Sequence, residues 1–430
     1  MHFLTNFLRP KIVFTKLCTP KLVKQEIIKK YDFLNRVNFH INYLIILELV
    51  NSLSQQKKSI TNSLTSCHEL PTSCFANVET KETTPESREH SKLPLQKIII
   101  KPGKRNQSKI YHLRNLNNWI KNMLIIEYIT KIREHHPSSG DSLRVLEMCC
   151  GKGGDLLKYS KQNIAHLICT DIAEISLNQC KKRYYRLAQS CQSCFSAEFF
   201  LSDCSRDRLR AQYKSPWLEH HLVSCQFALH FSFESYQQAD CMIRNASECL
   251  QSGGFFIATI PNANEIMRRL RESSDGRSFG NEYYNLQFLS DTQPPPIFGA
   301  KYLFQLEGVV DCLEFLVHFP TLVKLCRKHG LQLDKVNSFS EYFEASSKRG
   351  ENLLRKTECL QTVYIEKDSK IEENFSHIEN FANENQCWSN NYGTLSKPEW
   401  EIATLYLVCA FRKCDNTWDD ELNPIYNFDS

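Results

Sequence analysis

The chain lacks an apolar run long enough to cross a bilayer. The stretch Ile41 to Val50 is interrupted by Asn42 and Glu48 and spans about ten residues, half of what a membrane helix needs, so no membrane association is expected. Metal-ligand spacing is also missing. Cys191-Gln-Ser-Cys194 is the sole C-x-x-C, and the doublets His135-His136 and His220-His221 supply no second ligand pair at zinc spacing, so it reads as a loop with two thiols and no metal is expected. No internal repeat is visible, which sets aside solenoids and propellers. Charge of one sign is scarce in excess: 53 basic against 48 acidic residues leave +5, a mild balance that suits an anionic partner without requiring one.

Acid is absent from the first 25 residues. Arg9, Lys11, Lys16, Lys21 and Lys24 all precede Glu26, a balance that resembles an organellar presequence. Residues 51–95 are rich in Ser, Thr, Lys and Glu, so residues 1–95 are expected to form a poorly ordered extension ahead of one domain over 96–430. The nineteen cysteines are scattered, and Cys149, Cys169, Cys225 and Cys409 sit inside apolar strands. Reduced cysteine behaves there as a small hydrophobe, which indicates a reducing compartment.

What the chain does have is concentrated in Arg144 to Tyr159. An aliphatic run, Val145 to Met148, ends in Cys149-Cys150-Gly151-Lys152-Gly153-Gly154 and leads into Asp155-Leu156-Leu157-Lys158, the pattern of strand, tight turn and helix start. Glycines suit such a turn because the backbone takes positive φ there and lets a ligand approach closely. Asp171 ends a second short strand, Ala165 to Asp171, about 20 residues after the turn, where nucleoside-binding sheets place the acid that accepts both ribose hydroxyls.

Further strands are expected at Ala197–Asp203, Leu222–Phe227, Phe255–Ile260, Leu331–Phe339 and Leu405–Phe411. Helices are expected from Leu113, at Ile175–Leu187, Tyr236–Leu250 and Leu316–His329, and after the Ser396-Lys-Pro-Glu399 capping box. Strands alternating with amphipathic helices imply an α/β fold with a doubly wound Rossmann-like sheet and helices on both faces. Its ligand groups then lie at the carboxyl ends of the strands, where Asp203 and Gln226 stand. Asn117, Asn118 and Lys121 are read as starting the first helix, Arg268 to Ser278 as a charged loop, residues 340–392 as a mobile insertion and 413–430 as a frayed tail.

Several stretches together resemble the mRNA cap guanine-N7 methyltransferase family. They are Asn117-Asn-Trp-Ile-Lys121, Gly151-Lys-Gly-Gly-Asp-Leu-Leu-Lys158, Cys169-Thr-Asp-Ile-Ala173, Ser224-Cys-Gln-Phe227, His230-Phe-Ser-Phe-Glu-Ser-Tyr236, Phe279-Gly-Asn-Glu282, Leu306-Glu-Gly-Val-Val-Asp311 and Glu314-Phe-Leu-Val-His-Phe-Pro320. The resemblance implies a class I S-adenosylmethionine fold whose last strands are antiparallel, methyl transfer to N7 of the guanosine cap, and action on 5′-capped nascent mRNA in the nucleus. A small activating subunit and the transcription machinery are the other partners it suggests. Position by position it assigns cofactor contacts to Lys121, Cys149, Gly151, Asp171, Asp203, Gln226 and Phe231. Cap contacts fall to Asn118, Lys152, Lys158, Arg183, His230, Glu314 and Tyr406. No residue is assigned as a general base, because guanine N7 has an exposed lone pair and no proton to lose.

The chain departs from the family pattern where Cys149 replaces a glycine, Glu147 an aspartate and Phe231 a tyrosine, and where Gln96-Lys-Ile-Ile-Ile-Lys101 replaces an H-Y-N type stretch. Two alternatives stand beside the main reading. One is a paralogue that binds capped RNA or an activator protein without turnover, and the other is an enzyme of the same fold with a different acceptor.

Overall fold

The computed structural model describes residues 108–135, 142–190, 194–365, 372–385, 390–421 and 423–428, all within the compact unit Thr83–Ser430. The expected extension over residues 1–95 and the C-x-x-C cysteine Cys191 lie outside the described residues. The chain opens with α1 (Tyr111–His135) and then alternates: β1 (Arg144–Met148), α2 (Leu156–Lys161), β2 (His166–Asp171), α3 (Glu174–Ser190), β3 (Ser196–Leu201), β4 (His220–Gln226), α4 (Tyr236–Ser247), β5 (Leu250–Pro261) and α5 (Ala263–Glu272). A meander of β6 (Ser278–Gly280), β7 (Tyr284–Phe288), β8 (Lys301–Leu306) and β9 (Val310–Phe315) forms a separate antiparallel sheet. There follow α6 (Phe319–Lys328), β10 (Leu331–Ser338), α7 (Phe339–Ser347), α8 (Glu351–Lys356), β11 (Gln361–Ile365), α9 (Ser376–Asn385), β12 (Asn390–Thr394), α10 (Lys397–Ala403), β13 (Tyr406–Lys413), β14 (Asp415–Trp418) and β15 (Pro424–Asn427).

The central sheet has seven strands in the order β10-β13-β5-β4-β1-β2-β3. Neighbours from β5 to β3 run parallel, while β13 is antiparallel to both β5 and β10. Successive side chains of a strand point to opposite faces, and the burial follows that period. Val145, Leu167, Leu222 and Ile257 pack with α1 in one core cluster, whereas Leu146, Ile168, Val223 and Phe256 pack with α4 and α6 in a second. The strand order reverses between β1 and β4, and a doubly wound sheet opens its ligand crevice there, outside the carboxyl ends.

Two local devices hold the frame. Ser396 and Glu399 form the expected capping box, with Pro398 in the first turn of α10. The second carboxylate oxygen of Glu399 accepts the Leu113 amide at 3.0 Å, so one acid serves the amino ends of two helices. At the other end of α6, Gly330 takes φ +75° and stops the helix as its position predicts.

Several expectations need correction. Because α1 begins at Tyr111, Asn117, Asn118 and Lys121 lie inside the helix rather than capping it. Arg268 to Glu272 is helical, since Asn262 accepts the amides of Asn264 and Glu265 and Arg268 pairs with both Glu265 and Glu272 on one face. The helix expected over Leu316–His329 starts only at Phe319, with Pro320 in its first turn. Residues 340–392, expected to be low in regular structure, contain α7, α8, α9 and the antiparallel hairpin β11–β12. Their anchor is α1: Trp119 Nε1 donates to the Gly350 carbonyl at 3.2 Å, and the Tyr111 hydroxyl donates to Glu358 at 2.7 Å. The tail beyond Arg412 likewise ends in the β14–β15 hairpin.

Candidate active site

The turn after β1 is left-handed three times over, at Cys149 (φ +57°), Gly151 (+53°) and Gly153 (+71°). It is pinned to the sheet and to itself, by the Cys150 amide on the Thr170 carbonyl at 2.9 Å and the Gly153 amide on the Cys150 carbonyl at 3.0 Å. Gly153 is needed for space as well as conformation, since a Cβ there would lie 2.7 Å from Cys180 Sγ. At Gly151 a Cβ would meet nothing within 4 Å, so the missing side chain leaves open room over the turn.

Asp171 closes this corner. One carboxylate oxygen accepts the Gly151 amide at 2.7 Å and the other the Ala173 amide at 2.8 Å. A carboxylate has about four acceptor positions, so one remains on each oxygen for the two hydroxyls of a ribose. Burial raises the Asp171 pKa, and the two backbone donors work against that rise. Gln226, at the end of β4, donates to the Ser224 hydroxyl at 3.0 Å, while its Oε1 is buried without a hydrogen-bond partner. An orphaned acceptor beside an open glycine turn fits a ligand that brings donors, such as the amino groups of S-adenosylmethionine. Asp203 occupies the loop after β3 as expected, but its Oδ1 accepts both the amide and the hydroxyl of Ser205, at 2.9 and 2.6 Å. Its Oδ2 faces Arg206 at 3.4 Å, so the carboxylate braces its own loop.

The lysines of the turn are not free cations. Lys121 Nζ on α1 meets Asp155 Oδ2 at 2.8 Å, and Lys158 Nζ pairs with Asp155 Oδ1. Burial pushes the Asp155 carboxyl up, but the two ammonium groups outweigh it and hold the carboxyl below its usual range. Lys158 is itself shifted down by burial, with Asp155 acting in the opposite direction. In contrast, Lys152 and the exposed Arg183 carry no ion pair among the described residues, which leaves both available to an anion. Asn118 spends its amide donor on the Arg114 carbonyl at 2.9 Å. Its neighbour Asn117 has a buried, unpartnered Oδ1.

A second group gathers at the carboxyl ends of β4 and β5, where β9 meets the 3-10 turn Leu229–Glu234. Glu314 is buried on β9 and accepts the Tyr302 hydroxyl at 2.9 Å, a contact that follows from the direct pairing of Tyr302 with Glu314 across β8 and β9. His230 Nε2 lies 3.5 Å from Glu314 Oε1. This is close enough to feel the charge, but neither ring nitrogen makes a hydrogen bond. The His230 ring lies over Phe231 with centroids 4.3 Å apart. Tyr406 meets Phe227 and Phe339 at 5.1 and 5.7 Å between centroids. Burial raises the Tyr406 hydroxyl pKa, and the charge of Glu314 adds to it.

The structure thus joins the expected residues into two clusters: Cys149, Gly151, Asp171 and Gln226 around the turn, and His230, Phe231, Glu314 and Tyr406 where β9 meets the 3-10 turn after β4. Asp203, Lys158 and Asn118 are present but already engaged. Sequence reasoning missed Asp155, Tyr302, Phe227 and Phe339. Asp155 had a signal in its i, i+3 spacing to Lys158, whereas the other three depend on pairing between distant strands and helices.

Comparison with known proteins covers most of the chain. The family model described as mRNA (guanine-N(7))-methyltransferase domain matches residues 79–414. An mRNA cap guanine-N(7) methyltransferase of Drosophila melanogaster is 55% identical over 331 residues, 76% of this chain and 77% of that protein. One from Caenorhabditis elegans is 34% identical over 322 residues, 72% of this chain and 82% of the relative. A third, from Oryza sativa, is 35% identical over 320 residues, covering 72% and 76%.

Proposed function

This chain belongs to the mRNA (guanine-N7)-methyltransferase family, and from that premise we propose how its residues divide the work. The reaction is transfer of the methyl group of S-adenosylmethionine to N7 of the guanosine cap of mRNA. S-adenosylmethionine supplies an electrophilic sulfonium methyl, and the acceptor nitrogen has a free lone pair and no proton. The protein therefore needs to position and to exclude water rather than to move a proton.

In this reading Asp171 takes the ribose hydroxyls with its two remaining acceptor positions, and the open face of Gly151 admits the ligand against the backbone. Cys149 and Phe231 flank the methionine end, and Gln226 Oε1 accepts from an amino group. Glu314 reads guanine: its carboxylate, oriented by the Tyr302 hydroxyl on Oε2, meets the N1 hydrogen and 2-amino donors at the base edge with its remaining acceptor positions. His230 and Tyr406 wall the base, as aromatic rings do for an unpaired nucleotide. Lys152 and Arg183 meet the triphosphate bridge, while Lys121 and Lys158 set the local potential through Asp155.

The observation that carries the cap-binding role is the buried Glu314 carboxylate beside an unpartnered His230. A buried acid with no lysine or arginine beside it among the described residues suits a neutral donor edge better than a structural ion pair. We place the enzyme in the nucleus, because the capped ends it acts on arise on nascent transcripts and the basic cluster Lys101-Pro-Gly-Lys-Arg105 fits a nuclear address. A small activating subunit and contact with the transcription machinery belong to the same proposal, and co-purification from nuclear extract tests them. The direct test of the activity uses purified protein, labelled S-adenosylmethionine and RNA ending in an unmethylated cap or a bare triphosphate. Label should enter only the capped RNA, and equal labelling of both would refute cap recognition.

A further inference from the structure

Beneath the nucleoside corner lies a cluster that methyl transfer does not use. Cys150, in the turn after β1, Cys169, on β2, and Cys180, on α3, are all buried, and their sulfurs lie within 4.8 Å of one another. Three different elements deliver them, so their convergence is a product of the fold and not of neighbouring sequence. The Glu147 carboxylate, at 3% exposure, lies outside this group of three but borders it, with the Cys169 thiol donating toward its Oε2 at 4.0 Å. Buried cysteines are commonly small hydrophobes, yet a buried carboxylate directed at thiols is costly in an apolar packing role.

We propose that Cys150, Cys169 and Cys180 form a three-thiol site for a zinc-like divalent cation, set at the S-adenosylmethionine turn, with the Glu147 carboxylate drawn in from Cys169 as the fourth donor on binding. Metal–sulfur bonds of about 2.3 Å put tetrahedral sulfurs about 3.8 Å apart, so closure from the present spacing asks each sulfur to move by well under about 1 Å. Binding exchanges the thiol protons for the metal and releases them to solvent. Three thiolates and one carboxylate around a divalent ion leave excess negative charge, and the Lys121–Asp155–Lys158 group, two ammonium groups on one carboxylate, carries one net positive charge at the same turn. Cys204, in the loop after β3, lies outside this group of three and serves as the internal comparison.

The site would act on the turn. Cys150 precedes Gly151, whose amide holds Asp171, and Cys169 lies two residues before Asp171 on the same strand. Gly153 packs so closely over Cys180 that its missing Cβ would lie 2.7 Å from Sγ. A cation there would tie β1, β2 and α3 together at the corner that receives the ribose.

The test titrates the full reduced chain with zinc in competition with a chromophoric chelator, and with copper(I) in a parallel arm. The expected result is one tight zinc equivalent in the wild type, lost in Cys180→Ser and retained in Cys204→Ser. That equivalent should raise the unfolding temperature of the wild type and not of Cys180→Ser. X-ray absorption on the zinc-loaded wild type should show three sulfurs and one oxygen, which keeps the proposal exposed even where a cysteine variant does not fold. Absence of a tight equivalent, an equivalent that persists in Cys180→Ser, or a shell without three sulfurs would each overturn the site. Tight copper(I) binding with no zinc binding would overturn the four-donor assignment.

Discussion

Lys121 and Asp155 are 34 residues apart and meet at 2.8 Å, with side chains only 14% and 5% exposed. Lys158 takes the other oxygen of the same carboxylate, so two lysines share a single acid beside the glycine turn and the group keeps a net positive charge. Neither lysine can be understood as an isolated phosphate contact.

The first prediction follows from that shared acid. Asp155→Asn leaves two mostly buried ammonium groups without their counterion, and breaking a buried pair from one side typically costs about 3–5 kcal/mol. Because the Asp155 carboxyl is held below its ordinary value of 3.8, its stabilising contribution is present above that value and is lost as pH falls toward the folded-state pKa. Denaturant unfolding should therefore show a large gap between wild type and variant at neutral pH that narrows in acid below about pH 3.8. A gap independent of pH would place the effect in packing rather than charge.

Asp171→Asn is expected to weaken S-adenosylmethionine binding strongly. Both oxygens accept backbone amides, so an amide NH2 must oppose Gly151 or Ala173 and leave a donor unsatisfied, at about 1–3 kcal/mol. Calorimetry should register an affinity loss of about 10- to 100-fold, together with some loss of stability. Unchanged affinity would remove Asp171 from the ribose.

For Glu314→Gln the expected loss falls on the other substrate. The amide can keep the Tyr302 hydrogen bond through its oxygen but then turns a donor toward the guanine edge, and a lost bidentate base contact costs about 1–3 kcal/mol. Methyl transfer at limiting capped RNA should fall while S-adenosylmethionine affinity holds. The reverse pattern would move Glu314 into the cofactor pocket.

How far the sequence could be read depended on the range of the interactions. The turn Cys149 to Gly154 and the strand-end Asp171 were legible because strand, glycine turn and acid follow at short, fixed spacing. Strands β1, β2 and β4 were legible as short apolar runs, because both of their faces are buried. Residues 340–392 misled because their order comes from α1: Trp119 binds the Gly350 carbonyl and Tyr111 binds Glu358, more than 200 residues away. The helix through Arg268 was missed because its apolar face is only Ile266 and Leu270, one turn apart, within a charged run whose pairs Glu265–Arg268 and Arg268–Glu272 look like a solvated loop. Tyr302 became a site residue only through its register opposite Glu314.

The last prediction concerns Cys149, where the family pattern has glycine. Its φ of +57° carries a penalty of about 1–2 kcal/mol for a residue with a Cβ. The question is which equilibrium bears that cost. Hydrogen bonds from the Cys150 amide to Thr170 and from the Gly153 amide to Cys150 fix the turn within the backbone itself, so the strain belongs to folding and not to ligand capture. Against the relief in Cys149→Gly stand the greater chain entropy of an unfolded glycine, about 0.4–1 kcal/mol, and the lost packing of a half-buried side chain against the core that contains Cys225. These opposing effects are similar in size, so the unfolding free energy should stay within about 1 kcal/mol of the parent. S-adenosylmethionine affinity should stay within about threefold, less than 1 kcal/mol. A tenfold gain in affinity without a change in stability would show instead that the turn relaxes in the free protein and that ligand binding drives Cys149 into its left-handed conformation.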